Sequence, residues 1–102
     1  MGFFSKPEEA AGALAQLSKE RIKTAIVVGD CTDLCTYSLA MHLRLRANAR
    51  NLQDVEVIVP ANAVDTYDLP AATAPTGAFA HPGDFFHQVF LYHMALNGIR
   101  IV

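Results

Sequence analysis

The sequence has few charged residues for a chain of its size. Of its 102 residues only 18% are charged, against about 25% in an average soluble domain, while 52% are hydrophobic. The length fits one domain, and a small domain has a large surface to cover. The composition excludes intrinsic disorder. We therefore expect a folded chain that either packs against partners or belongs to a larger domain.

The sequence also lacks the features of several classes of partner and location. Its net charge of −2 provides no basic surface for nucleic acid. No apolar run is long enough to span a bilayer. The first ten residues, MGFFSKPEEA, lack the basic start and apolar stretch of a signal peptide. We expect a cytoplasmic protein with neither nucleic acid nor membrane as a partner.

Helices and strands are predicted to alternate along the chain. Helical spacing of apolar residues predicts helices over about 7–20, from about Cys35 to Ala49, and between Pro82 and Gly98. Short apolar runs predict strands over Thr24–Val28, Val55–Val59 and Ile99–Val102. The continuous first run is typical of a strand buried on both faces. This order predicts an α/β fold with a parallel sheet and right-handed crossovers.

Residues 60–81 form a long predicted loop, rich in Ala, Pro, Thr and Asp. A loop of this length inside a compact domain is often functional. Three of its residues follow the second predicted strand and either line a pocket or form an ordinary polar turn: Asp65, Tyr67 and Asp68. At the other end of the loop, His81 is expected to serve the start of the last helix together with Asp84.

No metal site or other cofactor is predicted. His81, His87 and His93 are spaced by six residues, whereas paired helical ligands are four apart. The two cysteines, Cys31 and Cys35, have no further Cys or His at the spacing of a tetrahedral site. His93 falls on the apolar stripe of the last helix, where we expect a hydrogen-bonded core residue.

The segment Asp30–Cys35 follows the first predicted strand, where sites form in open parallel sheets. Cys35 falls at a predicted helix N-terminus, with Thr32 or Asp33 as the N-cap. There the helix dipole favours a thiolate, and free N–H groups can stabilise an oxyanion. Cys35 is therefore a candidate nucleophile. A small core cysteine and a redox pair of Cys31 with Cys35 are the alternatives.

The segment Ile26–Cys35 resembles the nucleophile segment of the isochorismatase-like cysteine hydrolases, which include nicotinamidases and N-carbamoylsarcosine amidohydrolases. The family pattern is an apolar strand, Gly, two variable residues, Thr-Asp-x-Cys and a helix. It is matched here by Gly29, Thr32, Asp33 and Cys35. The resemblance continues through the later predicted helices and strands. It implies that residues 1–102 are the C-terminal part of a single three-layer α/β/α, Rossmann-like domain.

The resemblance also implies roles for individual residues. Cys35 would attack the carbonyl of a small amide substrate. A cis peptide bond at Asp30–Cys31 would aim the Cys31 backbone N–H, with that of Cys35, into an oxyanion hole. Thr32 and Asp33 would hold the turn and cap the helix. No cofactor is assigned.

The sequence departs from the family in ways that leave function open. The family triad is Asp, Lys and Cys, and its Asp and Lys come from the N-terminal half, while Lys6 is interpreted as a surface residue. Leu39 and His42 stand where the family often has Thr and Asp, so the substrate is not indicated. Phe3 and Phe4 either contact substrate or pack in the core. The alternative function is an inactive fragment or interaction module, with a homo-oligomer or a missing N-terminal half as the expected partner.

Overall fold

The strands of the described chain form two parallel sheets. The computed structural model describes residues 23–102. In chain order the strands are β1 (Thr24–Ile26), β2 (Gly29–Asp30), β3 (Glu56–Val59), β4 (Val64–Asp65) and β5 (Arg100–Ile101). One sheet has the order β1-β3-β5, and β2 pairs with β4 in the other. The residues that follow β2 contact the strands of the smaller sheet, β2 and β4.

Two helices cover the three-stranded sheet. A single π-helical turn, Thr32–Thr36, runs into α1 (Tyr37–Ala49), and α2 (Gly83–Leu96) ends just before β5. A short 3-10 turn, Ala61–Ala63, separates β3 from β4. Helix α1 contacts β3, α2 contacts β5, and the two helices contact each other. Within residues 23–102, neither helix has the length and apolar character needed to cross a membrane.

The core lies between these helices and the sheet. Alternation along β3 buries Val57 and Val59 completely and leaves Glu56 and Ile58 half-buried, as the two-residue period of a strand requires. Met94 of α2 is also fully buried. The remaining core side chains are Val27, Ala40, Met41, Val64, Leu91 and Ile99.

The predicted α/β fold with parallel strands is confirmed. The second and third strands and the last helix lie within a residue or two of their predicted bounds. The first strand was expected to be buried on both faces, and this is wrong: Thr24 is exposed and Ile26 is 43% exposed. The reason is that, among the described elements, β1 lies at the edge of its sheet and the two helices pack on β3 and β5 instead. The small β2–β4 sheet was not predicted, because two-residue strands carry no periodic signal.

Three predictions concern residues outside the described range. They are the helix over 7–20, the surface position of Lys6, and the packing of Phe3 and Phe4.

Candidate active site

The turn that carries Cys35 begins at the carboxyl end of β2, where parallel sheets commonly place their sites. Gly29 opens it with a φ of +121°, a value that side-chain-bearing residues rarely adopt. The peptide bond between Asp30 and Cys31 is cis, as the family resemblance implies. Both cysteines are free; Cys31 is half-buried and Cys35 is exposed. Cys35 is therefore open to solvent, as a nucleophile requires.

Two backbone N–H groups of the turn bond to the same carbonyl oxygen. The Cys31 carbonyl oxygen accepts hydrogen bonds from the N–H of Leu34 at 3.1 Å and from the N–H of Thr36 at 3.2 Å. The second bond spans five residues and makes the turn π-helical. It leads directly into α1 at Tyr37.

The Asp33 carboxylate ties this turn to the loop that follows β4. Its side chain is only 6% exposed. Oδ1 accepts a hydrogen bond from the Thr66 hydroxyl at 2.6 Å, and Oδ2 lies 2.7 Å from Nε2 of His81. Both oxygens are thus engaged, and the lowered pKa of this carboxylate makes it a weak acceptor for a proton from Cys35.

His81 lies at the centre of the polar contacts. Its Nδ1 is 2.8 Å from the carbonyl oxygen of Tyr67, and its Nε2 contacts Asp33. The imidazole ring is stacked between the ring of Tyr67, at a centroid distance of 3.9 Å, and that of Phe86, at 4.5 Å. Phe86 belongs to α2, so His81 joins the turn, the loop and the last helix.

The electrostatics of the Asp33–His81 pair favour the ionised state of both groups. The hydrogen bond to Asp33 raises the pKa of His81 above its ordinary value of 6.5, and desolvation opposes it only in part. Burial raises the pKa of Asp33, but the hydrogen bonds from Thr66, His81 and the Asp33 backbone, together with the charge of His81, outweigh it. The net pKa of Asp33 therefore lies below its ordinary value of 3.8. Both shifts therefore favour the pairing of an Asp33 carboxylate with a His81 imidazolium.

Two histidines of α2 also contact the start of the turn and helix. The fully buried Thr32 hydroxyl is hydrogen-bonded to Nδ1 of His87 at 2.7 Å. The Tyr37 hydroxyl is hydrogen-bonded to Nδ1 of His93, also at 2.7 Å. Side chains of α2 thus hold the chain on both sides of Cys35.

The predicted capping role of Thr32 and Asp33 is wrong. Neither Cys31, which precedes the turn, nor Thr36, which precedes α1, makes a side-chain cap, and no side chain of the turn caps the helix. The reason is that Thr32 bonds to His87 and Asp33 bonds to His81 and Thr66. Sequence reasoning missed these partners because they lie 33 to 55 residues away.

The histidine predictions need a further correction. His81 does not serve the start of α2; instead the Asp68 carboxylate accepts the N–H of Gly83, the first residue of α2, at 2.8 Å. Asp84, its predicted companion, is exposed and does lie in the first turn of α2, where a negative charge is favourable to the helix dipole. His93 is hydrogen-bonded as expected, but it is exposed and not in the core. Its partner, the Tyr37 hydroxyl, lies at the surface of the molecule.

The residues predicted after the second strand divide between two roles. The exposed Asp65 accepts a hydrogen bond from the neighbouring N–H of Thr66, as in an ordinary polar turn. Tyr67 contributes its carbonyl and its ring to His81. Among residues 23–102, no group of three or more His, Cys, Asp or Glu side chains is placed to hold a metal ion.

The chain is similar to nicotinamidase 1 from Arabidopsis thaliana, with 35% identity over 89 residues. This similarity supports a relationship to the isochorismatase-like hydrolases over the part of that protein that the chain spans. The match covers 84% of this chain and 36% of the relative, so the chain spans little more than a third of that protein. No protein-family model and no solved structure matches it. The similarity to a nicotinamidase agrees with the resemblance seen in the Thr-Asp-x-Cys segment.

Proposed function

We propose that this chain supplies the nucleophile of a cysteine hydrolase that cleaves the C–N bond of a small amide. The observation that carries the proposal is the exposed Cys35 on the Thr-Asp-x-Cys turn after β2, in a chain related to a nicotinamidase. The polar contacts of Thr32 and Asp33 support it, because they hold the turn against α2 and against the loop after β4 while Cys35 stays exposed.

In the proposed reaction the Cys35 sulfur attacks the amide carbonyl carbon. A C–S bond forms and the carbonyl π electrons move to oxygen, where the backbone N–H groups of Cys31 and Cys35 donate hydrogen bonds. The C–N bond then breaks as the nitrogen takes a proton and leaves as ammonia or an amine. Water cleaves the thioester, which releases the carboxylic acid and restores the thiol.

The reaction also needs a group that moves protons. Asp33 is a poor candidate, because its pKa is lowered and its oxygens already accept hydrogen bonds from Thr66 and His81. The family resemblance assigns this work to an Asp and a Lys that precede the matched segment. A test of Cys35 should therefore avoid any step that needs them.

An activated aryl ester of nicotinic acid provides such a test, because its phenolate leaves without a proton. We expect one acyl group per chain, located on Cys35 by peptide mass spectrometry. Cys35→Ala should reduce acylation by at least about 100-fold. Ser38→Ala changes an exposed residue of α1 and serves as the matched control, which should be acylated like the wild type.

The nucleophile assignment would be contradicted by acylation of Cys31 in place of Cys35. It would equally be contradicted by unchanged acylation of Cys35→Ala, or by the absence of any adduct on the wild-type chain.

A second candidate function is an interaction module without catalysis. It is favoured by apolar side chains of α2 that lie open to solvent, with Phe85 60% exposed, Tyr92 66% and Leu96 65%. Exposed apolar surface is typical of a protein contact. This function predicts no acylation of Cys35 and a concentration-dependent increase in mass by analytical ultracentrifugation.

A further inference from the structure

We propose that His81 is a positioning residue for the Cys35 turn, acting as an imidazolium that donates hydrogen bonds from both ring nitrogens. It would fix Asp33, and through Asp33 the turn, against the loop after β4. The inference rests on the proposed function, since it concerns how the nucleophile is oriented. No contact between His81 and substrate is required.

The hydrogen-bond partners of His81 require two ring protons. A carbonyl oxygen only accepts, and an ionised carboxylate only accepts. The Tyr67 carbonyl faces Nδ1 at 2.8 Å and the Asp33 carboxylate faces Nε2 at 2.7 Å. A neutral ring would turn a lone pair toward one of them. The geometry is therefore satisfied by the charged ring, which also neutralises the buried carboxylate.

The surroundings prevent His81 from turning away from these partners. Its ring is stacked between Tyr67 and Phe86. The Tyr67 carbonyl is itself confined, because a Cβ atom added at Gly83 would lie only 2.8 Å from its oxygen. These contacts hold the ring toward its two partners, so we expect a change in its charge to alter the contact with Asp33.

The titratable and charged groups around His81 leave Asp33 as its counter-charge. On the turn, Asp33 is bonded to it directly. On the loop, Tyr67 presents its ring and carbonyl, while Asp68 is engaged by the N–H of Gly83. On α2, the neighbouring ring is the apolar Phe86; the next histidine, His87, is bonded to Thr32.

The protonation state is tested on the whole chain by ¹⁵N NMR of the imidazole nitrogens. We expect both nitrogens of His81 to carry a proton at about pH 7, assigned by loss of the signals in His81→Gln. Asp33→Asn keeps the size of the side chain and removes its charge. In that variant the His81 ring should be neutral at the same pH.

The positioning role is tested by comparing two reactions of Cys35. Acylation by the nicotinic ester requires the thiol and the oxyanion-hole N–H groups to be aligned, whereas alkylation by iodoacetamide requires only an accessible thiol. His81→Gln should lower the acylation rate by about tenfold or more and change alkylation by less than about threefold. Asp33→Asn should give the same loss, and the double variant should add little to either.

His42→Gln is the matched control, because His42 is an exposed histidine of α1. It should leave both rates close to those of the wild type. The inference is overturned if His81 is neutral at about pH 7. It is also overturned if acylation in His81→Gln stays within about threefold of the wild type, or if acylation and alkylation fall together.

These outcomes separate this inference from the proposed function. Normal acylation of Cys35 in His81→Gln would overturn the role of His81 and leave Cys35 as the nucleophile. Failure of acylation in the wild-type chain would overturn the proposed function, whatever the charge of His81.

Discussion

The sheet core and the Cys35 turn are held in place by different kinds of interaction. In the core, Val57, Val59 and Met94 are fully buried and pack through apolar contacts. In the turn, Thr32 and Asp33 are held by hydrogen bonds to side chains far away in the sequence. The stability of the core depends on how well apolar side chains fill its volume, whereas the conformation of the turn depends on the direction of hydrogen bonds and on charge.

This difference has a consequence for function. Apolar packing is non-directional and scales with the area removed from water. A hydrogen bond loses strength steeply as its angle departs from linearity, so a set of them fixes orientation more sharply. The chain thus uses apolar packing for stability and polar contacts for the placement of Cys35. We therefore expect the stability contributed by the polar contacts to change with pH and the stability contributed by the core to stay constant.

The largest expected effect is in the core. Met94→Ala removes a fully buried side chain and should lower the free energy of unfolding by about 2–5 kcal/mol, measured by urea denaturation. The loss should be the same at about pH 5 and about pH 9, because no titratable group is removed. Leu96→Ala, which changes a 65% exposed side chain of the same helix, should cost less than about 0.5 kcal/mol. Similar losses in the two variants would contradict the assignment of the core.

A smaller effect is expected where α2 meets the loop. Gly83→Ala would place a methyl group 2.8 Å from the Tyr67 backbone oxygen, so the loop must move. We expect the free energy of unfolding to fall by about 1–3 kcal/mol. Because that oxygen is a partner of His81, acylation of Cys35 should slow as well. A variant with unchanged stability and acylation would show that the loop can shift at no cost. It would also show that the position of the Tyr67 carbonyl does not affect the Cys35 turn.

The elements that form the core were largely predictable from the sequence, and the errors in their prediction have a physical cause. The alternation in Val55–Val59 and the start and stop residues of α2 are local signals, and each gave an element close to its observed bounds. The apolar run at 24–28 predicted a strand correctly but not its exposure. A β-branched run has the same pattern whether or not its faces are covered, since its burial is decided by the position of the strand in the sheet and by the helices packed over it.

The site was predictable only in part. The position of Cys35 after a strand and before a helix follows from local order and is found in the structure. The partners of Asp33 and Thr32 do not follow from it, because His81 and His87 are 48 and 55 residues distant. A short polar residue at a predicted helix start is usually a cap. Tertiary contacts overrode that preference here, and no local spacing marks them.

The smallest expected effect is the pH dependence of the Asp33–His81 pair. It is also the sharpest test of the difference between the turn and the core. The pKa of His81 is raised in the folded chain, so its contribution to stability is fully present below 6.5 and is lost as the pH rises through the raised value. The pKa of Asp33 is lowered, so its contribution is present above 3.8 and is lost as the pH falls through the lowered value.

The pair therefore stabilises the fold most between these two limits. The difference in urea midpoint between the wild type and His81→Gln should be largest at about pH 5–6 and should shrink toward about pH 9. The corresponding difference for Met94→Ala should stay constant over the same range, because packing has no proton to lose. A constant difference for His81→Gln would mean that the ring acts through stacking on Tyr67 and Phe86 alone. In that case the turn and the core would be held by the same kind of interaction.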